Sequence, residues 1–244
     1  MKKQYIELYK EFNRIRNLGW IKTMRNGTTG VGYTFESLLN KKEDNLKQPD
    51  FNGIEIKTMK YFSKKKIHLF NLTPDSDTPQ SIKSIVEKFG YPDKEYPMYK
   101  VFNISINAKE YTKIGYKKYK LSVNEKEKRI DLIASTIFGF KININIYWPY
   151  EKLQDSLEKK LKILAIVKAC SKKENNTEYY YYTRIDFYEL KEFDYFIHLI
   201  KEGIINITFK IGIRKDLEKL GNIHDKGTDF SLFEKDIELL FKKQ

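Results

Sequence analysis

Three observations in the sequence predict an α/β fold, a mixed β-sheet flanked by helices. Apolar residues recur at helical spacing in several segments, short runs alternate apolar and polar residues with period two, and the two kinds of segment interleave along the chain. Leu8, Phe12 and Ile15 give the first segment a helical stripe, and Phe35, Leu38 and Leu39 give a second helix its stripe after a glycine-rich turn. Between residues 49 and 59 the period changes. Gly53 punctuates, and Ile54 and Ile56 alternate with Glu55 and Lys57, as in a strand with two unlike faces. Residues 67–72 are predicted to return as the second strand of a hairpin. Residues 73–79 read as an exposed loop, and Ile82, Ile85, Val86 and Phe89 form a helical face that stops at Gly90. A boundary between two lobes, 1–90 and 91–244, is placed there.

In the second half, residues 142–148 read as a strand with Ile142, Ile144, Ile146 and Trp148 on one face. Pro149 suits the first turn of a helix whose inner side carries Leu153, Leu157 and Leu161. Residues 163–167 should form a buried strand and 179–187 another. Phe193, Phe196, Ile197 and Ile200 mark a further helical face, with Gly203 as its stop. Ile205, Ile207, Phe209, Ile211 and Ile213 alternate with Asn206, Thr208, Lys210, Gly212 and Arg214, which predicts a strand with one packed side and one polar side.

Composition narrows the partners. With 41% hydrophobic and 32% charged residues, and only 12 Gly and 6 Pro in 244, the chain is neither low-complexity nor largely disordered. Forty-six Lys and Arg against 33 Asp and Glu leave a charge of +13, which attracts polyanions, so nucleic acid is the first partner to consider. No stretch offers the ~18 consecutive apolar residues of a membrane-spanning helix. The start, Met1-Lys2-Lys3-Gln4, leads into no apolar leader core, so no membrane partner and a cytoplasmic location are expected. Cys170 has no partner for an internal disulfide and lies in an apolar run, which predicts a buried, inert thiol. With three His and one Cys, a structural zinc site is implausible.

The residues that carry chemistry cluster near position 50. Asp50 is followed by Glu55, Ile56 and Lys57, and on a strand Glu55 and Lys57 project from one face. A turn through Asn52 and Gly53 would fold Asp50 back beside them. Two carboxylates at such a point hold Mg²⁺ near a phosphate, and the neighbouring ammonium orients or helps deprotonate the attacking water. In that arrangement Asp50, Glu55 and the backbone carbonyl of Ile56 bind the metal and Lys57 handles the water. The helix bearing Phe35, Leu38 and Leu39 also carries Glu36, which would supply a third carboxylate. Glu-x-Lys triplets also occur on exposed strand edges of lysine-rich chains for solubility or cross-strand pairing. Around the cluster, Lys22, Arg25, Thr28 and Thr29 precede or form the glycine-rich turn, and Lys60, Lys64, Lys65 and Lys66 follow the strand. These side chains either contact phosphate or solvate a face.

The stretch 26–58, with Gly30, Gly32, Phe35-Glu36, Pro49-Asp50-Phe51 and Gly53-Ile54-Glu55-Ile56-Lys57-Thr58, resembles the MutH-related restriction endonucleases, in particular the MvaI and BcnI group. The similarity extends more weakly through Lys159-Lys160-Leu161-Lys162 and the strand after it to His224-Asp225-Lys226-Gly227-Thr228-Asp229-Phe230. The resemblance implies a PD-(D/E)xK nuclease, with a restriction-endonuclease-like core in residues 1–90 completed by later strands such as 161–169. A second lobe that recognises duplex DNA, together with the remainder of the sheet, would occupy 91–244. It implies that Asp50, Glu55 and Lys57 are catalytic, that Glu36 fills an additional acidic position, and that Mg²⁺-dependent hydrolysis leaves a 5′-phosphate and a 3′-hydroxyl. By the same resemblance the enzyme is prokaryotic and a monomer that cuts the two strands in separate events. A cognate DNA methyltransferase would be its functional pair without being a required physical partner.

For base reading, the polar side of the 205–214 strand offers Thr208, Lys210 and Arg214, and the following motif offers His224, Asp225, Lys226, Thr228, Asp229 and Ser231. A half-solvated antiparallel strand presents the same alternation without any DNA role. Where the MvaI-like pattern has a second His and a later Arg, this chain has Lys226 and Ser231, and Lys210 stands where an Arg occurs. The resemblance therefore carries over a reading surface and not a target sequence, because Arg makes a bidentate guanine contact that Lys does not reproduce. Tyr179 to Tyr182 fit alternating burial in a strand, His198 reads as structural, and His68 gives no independent catalytic signal. The leading expectation is a type II restriction endonuclease. Two other classes stay open: a MutH-like mismatch-repair nickase, and a non-catalytic basic DNA-binding protein.

Overall fold

A computed structural model describes residues 2–39, 48–76 and 82–244, so residues 77–79 of the expected 73–79 loop lie outside the described residues. In chain order the elements are α1 (Lys3–Arg16), β1 (Ile21–Lys22), α2 (Gly30–Leu38), β2 (Glu55–Lys60), β3 (Lys66–Asn71), α3 (Ile82–Phe89), β4 (Tyr91–Pro92) and β5 (Lys100–Ile106). They continue with β6 (Thr112–Ile114), β7 (Lys117–Asn124), β8 (Arg129–Thr136), β9 (Lys141–Ile142), β10 (Tyr147–Pro149) and α4 (Tyr150–Leu161). The remainder are β11 (Ile163–Glu174), β12 (Thr177–Leu190), α5 (Phe193–Lys201), β13 (Asn206–Ile213), β14 (Ile223–Phe233), α6 (Ile237–Leu240) and β15 (Phe241–Lys243). No helix among the described residues is long and apolar enough to cross a membrane.

The chain divides into two compact units, one of residues 1–65, 157–191 and 238–244, the other of 66–156 and 192–237. The first unit is built on a sheet ordered β1-β12-β11-β2, with β15 also on β12. Its strand β2 runs parallel to β11, Glu55 opposite Leu164 and Lys57 opposite Ile166, while β11 and β12 are antiparallel. Both orientations in one sheet make it mixed, as the sequence predicts. Tyr5, Leu8, Phe12 and Ile15 of α1 and Val31 and Phe35 of α2 are buried in one cluster with Ile56, Ala165, Val167, Tyr180 and Tyr182. Strand alternation puts Ile56 on that helix-covered face and turns Glu55 and Lys57 to the other.

The second unit contains two sheets, β3-β14-β13-β5-β4 and β10-β8-β7-β6 with β9 on β8. They pack through aromatic rings: Phe102 lies 5.5 Å from Tyr119, and Trp148 lies 5.9 Å from both Phe209 and Phe230 between centroids. The strand β13 alternates as its sequence demands, with Ile207, Phe209, Ile211 and Ile213 buried in that interface and Asn206, Thr208, Lys210 and Gly212 on the outer face.

Two expectations about strands are corrected. The segment 67–72 does not close a hairpin with 54–59, for β2 pairs only with β11 and β3 pairs with β14. The linker through Ser63, Lys64 and Lys65 has no turn-forming pair, and β2 gains a buried neighbour in the apolar β11 instead. Residues 142–148 are not one strand either. Two short strands, β9 and β10, flank an irregular middle, and Ile146 and Trp148 are buried whereas Ile142 and Ile144 are half-buried. Residue 90, where the sequence places a lobe boundary, falls inside the second unit, and the chain passes between units at 65/66, 156/157, 191/192 and 237/238. Leu153, Leu157 and Leu161 of α4 are fully buried, and Gly203 ends α5 with a φ of 71°, both as predicted. Cys170 is half-buried instead of enclosed.

Candidate functional site

The acidic cluster is assembled by a tight turn. Phe51 and Ile54 exchange two backbone hydrogen bonds of 2.9 and 2.7 Å across Asn52 and Gly53. Both central residues have positive φ, 43° and 82°, the backbone of a type I′ turn, for which Asn-Gly is the favoured pair. The turn returns Asp50 to β2, where its Oδ2 accepts the Ile56 N–H at 2.9 Å. Since N–H and C=O of one strand residue point to the same side, the Ile56 carbonyl lies along the same sheet edge as Asp50.

Glu55 is 1% exposed. Its Oε1 accepts the Lys57 ammonium at 2.6 Å and lies 3.4 Å from the Lys160 ammonium at the end of α4. Its Oε2 is buried and has no hydrogen-bond partner among the described residues. Burial raises the Glu55 carboxyl above the usual range; Lys57 and Lys160 oppose the rise, and the nearby charge of Asp50 adds to it. Asp50 and Glu55 are thus close enough to repel, and one oxygen of the pair lacks the proton or cation that burial demands.

A buried, unpartnered carboxylate oxygen beside a second carboxylate fits a divalent cation, and Mg²⁺ typically takes one or two carboxylates and completes its shell with water and phosphate. Asp50, Glu55 and the Ile56 carbonyl are the groups that would hold it. Among the described residues no three or more His, Cys, Asp or Glu side chains converge as a metal shell. Glu36, the additional acidic residue expected, lies on α2 with its Oε1 3.7 Å from where a Gly32 Cβ would stand.

The remaining candidates of this unit surround the start of α2. Arg25 stacks its guanidinium 3.7 Å from the Tyr33 ring centre. Lys22, at the end of β1, and Thr28 and Thr29, just before α2, are exposed.

In the second unit the outer face of β3-β14-β13 gathers part of the expected reading surface. Thr208 lies opposite Asp229, Asn206 opposite Ser231, and Gly212 opposite His224. The buried Asp229 accepts the Lys210 ammonium on one oxygen at 3.0 Å and His68 Nδ1 on the other. Burial, with Lys226 as the next cause, lowers the pKa of the Lys210 ammonium, so this cation is short of solvation even with Asp229 alongside. An extra residue in β14 near Gly227, where φ is 86°, turns Lys226 outward, and Asp225 Oδ1 accepts the Gly227 N–H at 2.8 Å. The structure separates other members. Thr228 is buried opposite Phe209 on the packed side, and Arg214 lies exposed just past the end of β13.

Two residues were beyond the reach of the sequence. The run before β11 contains Lys160 without any sign that it meets Glu55, and His68 carries only a strand pattern until β14 pairs with β3 and brings Asp229 to it.

A model of the MvaI/BcnI restriction endonuclease family matches residues 9–241 of the chain. None of the curated proteins matches the sequence. Among solved structures, the restriction endonuclease MvaI in complex with its cognate DNA substrate aligns over 100% of this chain and 98% of its own, with 28% identity and a TM-score of 0.90. The same enzyme in the absence of DNA aligns with the same coverage and identity and a TM-score of 0.63.

Proposed function

The chain belongs to the MvaI/BcnI restriction endonuclease family, and on that footing we propose that it is a type II enzyme hydrolysing both strands of duplex DNA in a Mg²⁺-dependent reaction at a PD-(D/E)xK centre. The observation that carries this reading is Glu55, which is buried, held by two lysines on one oxygen and open on the other beside Asp50. Such a site is costly unless a cation and a phosphate complete it.

A bound divalent cation there supplies Lewis acidity and neutralises charge at the scissile phosphate. The chain's own groups do the rest. Asp50 is oriented by the Ile56 N–H, which leaves the carbonyl of that residue on the same edge. Glu55 fixes the Lys57 ammonium, which donates a hydrogen bond that orients the attacking water, and the proton this water gives up passes through solvent to the departing 3′-oxygen. The bond from phosphorus to the 3′-oxygen breaks, water oxygen joins the phosphorus, and the products are a 5′-phosphate and a 3′-hydroxyl. Lys160 adds a second positive charge where the pentavalent transition state gathers negative charge. For recognition, Thr208, Lys210, His224, Lys226, Asp229 and Ser231 offer a polar row to a groove, with Lys210 and Lys226 as donors to guanine acceptors. Lys22, Arg25, Thr28, Thr29 and Arg214 are assigned to phosphate contact. The enzyme is read as a monomer that cuts its strands in succession in a prokaryotic cytoplasm, with a methyltransferase protecting the host site.

Digestion of plasmid DNA tests the reading. Wild type with Mg²⁺ should give discrete double-strand fragments, and Asp50→Ala and Lys57→Ala should leave the DNA intact. Nicked circles alone would favour the mismatch-repair nickase, and salt-sensitive binding without cleavage the silent DNA-binding module. A thermal-shift measurement separates loss of the ion from loss of chemistry. Mg²⁺ at about 100 times its dissociation constant should stabilise the wild type by about 2.7 kcal/mol. Asp50→Ala should lose that stabilisation and Lys57→Ala should keep it.

A further inference from the structure

Strands β6 to β9 lie in the sheet that backs the reading face, and their exposed surface has no role in the mechanism above. Residues 136–140 form the tip joining β8 to β9. It is tied down by hydrogen bonds from Gly139 N–H to Thr136 O at 3.0 Å, from Thr136 N–H to Phe140 O at 2.8 Å, and from Ile137 N–H to Tyr116 O at 2.8 Å. Within this fixed frame Phe138 is 79% and Phe140 73% exposed, with Tyr116 beside them at 62%. Holding two phenylalanines in water on an ordered turn wastes apolar area unless something covers them.

The surroundings state the charge of that something. Tyr119 and Leu121 point into the core, so Lys118 and Lys120 stand on the outer face of β7, their ammonium groups 4.8 and 5.6 Å from the Tyr111 ring centre. Lys141 lies opposite Ser135 on the same face. Neither 111–124 nor 132–150 contains an Asp or Glu. In the strands β6 to β9 themselves the sole carboxylate is Asp131, which Arg129 neutralises at 2.9 Å; Glu110 precedes β6, and Glu125 and Glu127 sit in the turn between β7 and β8, where Glu125 accepts Lys201. Exposed rings beside lysines that outnumber the neighbouring carboxylates match a polyanion that also presents flat apolar surface, which nucleic acid does through phosphates and base faces.

We propose that the Phe138-Phe140 tip and the lysine face of β7 form a second contact for duplex DNA, separate from the reading row and indifferent to sequence. It engages non-target duplex with its phosphates on the lysines and the rings as a wedge at the minor groove. The proposal presupposes that the protein acts on DNA.

The test uses the full-length protein and a Phe138→Ser/Phe140→Ser double variant, with Lys118→Ala/Lys141→Ala as an independent second. Each is measured for binding to long non-cognate duplex over a salt series and for cleavage of a short duplex that holds only the target site. Expected is about 10-fold weaker non-cognate binding with unchanged short-duplex cleavage, and for the lysine variant a salt slope shallower by about 0.9 per lysine removed. Unchanged non-cognate binding in both variants overturns the proposal. So does loss of binding to phosphatidylserine vesicles, or of self-association in sedimentation, with DNA affinity intact, since the tip would then serve a membrane or a second copy. If wild type fails to cut the short duplex, the nuclease reading falls, while the non-cognate comparison still decides the tip.

Discussion

Asp229 holds Lys210 at 3.0 Å across the strand pair β13 and β14, and its second oxygen takes His68 from β3. One buried carboxylate therefore sets the direction of two donors on the reading face. Asp229→Asn frees both and leaves a desolvated lysine without its counter-charge. Cleavage at the preferred site should fall by roughly 10- to 100-fold, the size of one lost bidentate discrimination. Non-cognate binding should stay within a factor of about two, because phosphate contacts carry it. Parallel rate measurements on target and singly substituted duplexes check this, and equal loss on all of them would demote Asp229 to a structural role.

The pH profile should carry the imprint of Glu55. Its carboxyl is raised by burial, so it takes up a proton at higher pH than an ordinary Glu, near 4.3, and cleavage should fail on acidification above that value. Lys160 lowers the Glu55 pKa, so Lys160→Met should move the acid limb to still higher pH, a displacement that a purely structural lysine would not cause. In linkage terms the raised value makes ionised Glu55 a burden on folding. Its contribution to stability is present at low pH and is lost as pH rises through the folded-state pKa. Cation binding offsets that loss at neutral pH. Initial rates at subsaturating Mg²⁺ across the acid range, where ionisation of the metal-free site governs cation uptake, measure the shift.

The turn at Asn52 and Gly53 governs where Asp50 stands. Gly53→Ala forces an L side chain to a φ of 82°, at a cost of about 1–2 kcal/mol. Melting should drop by about 2–4 °C per kcal/mol lost. Cleavage should fall further than stability accounts for, because Asp50 and the Ile56 N–H share the turn's geometry. The check is the rate at a temperature where both proteins are fully folded.

Local chemistry was legible wherever it depends on period or turn type. Alternation put Ile56 on the helix-covered face and Glu55 with Lys57 on the other, the Asn-Gly pair announced the turn, and the row from 206 to 213 alternated strictly. What stayed hidden were partners. Periodicity tells which face a residue occupies and says nothing of which strand lies beside it, so the parallel pairing of β2 with β11 was unreadable and a nearby hairpin was expected in its place. The same limit concealed Lys160 beside Glu55 and Asp229 beside His68.

The pairing of β2 with β11 sets a timetable for the chain as it leaves the ribosome. Asp50 to Lys57 emerge early, but Glu55 has neither Leu164 opposite it nor Lys160 nearby until residues beyond 160 have been made. A chain that stops short of residue 160 lacks both the strand that pairs with β2 and the second lysine beside Glu55.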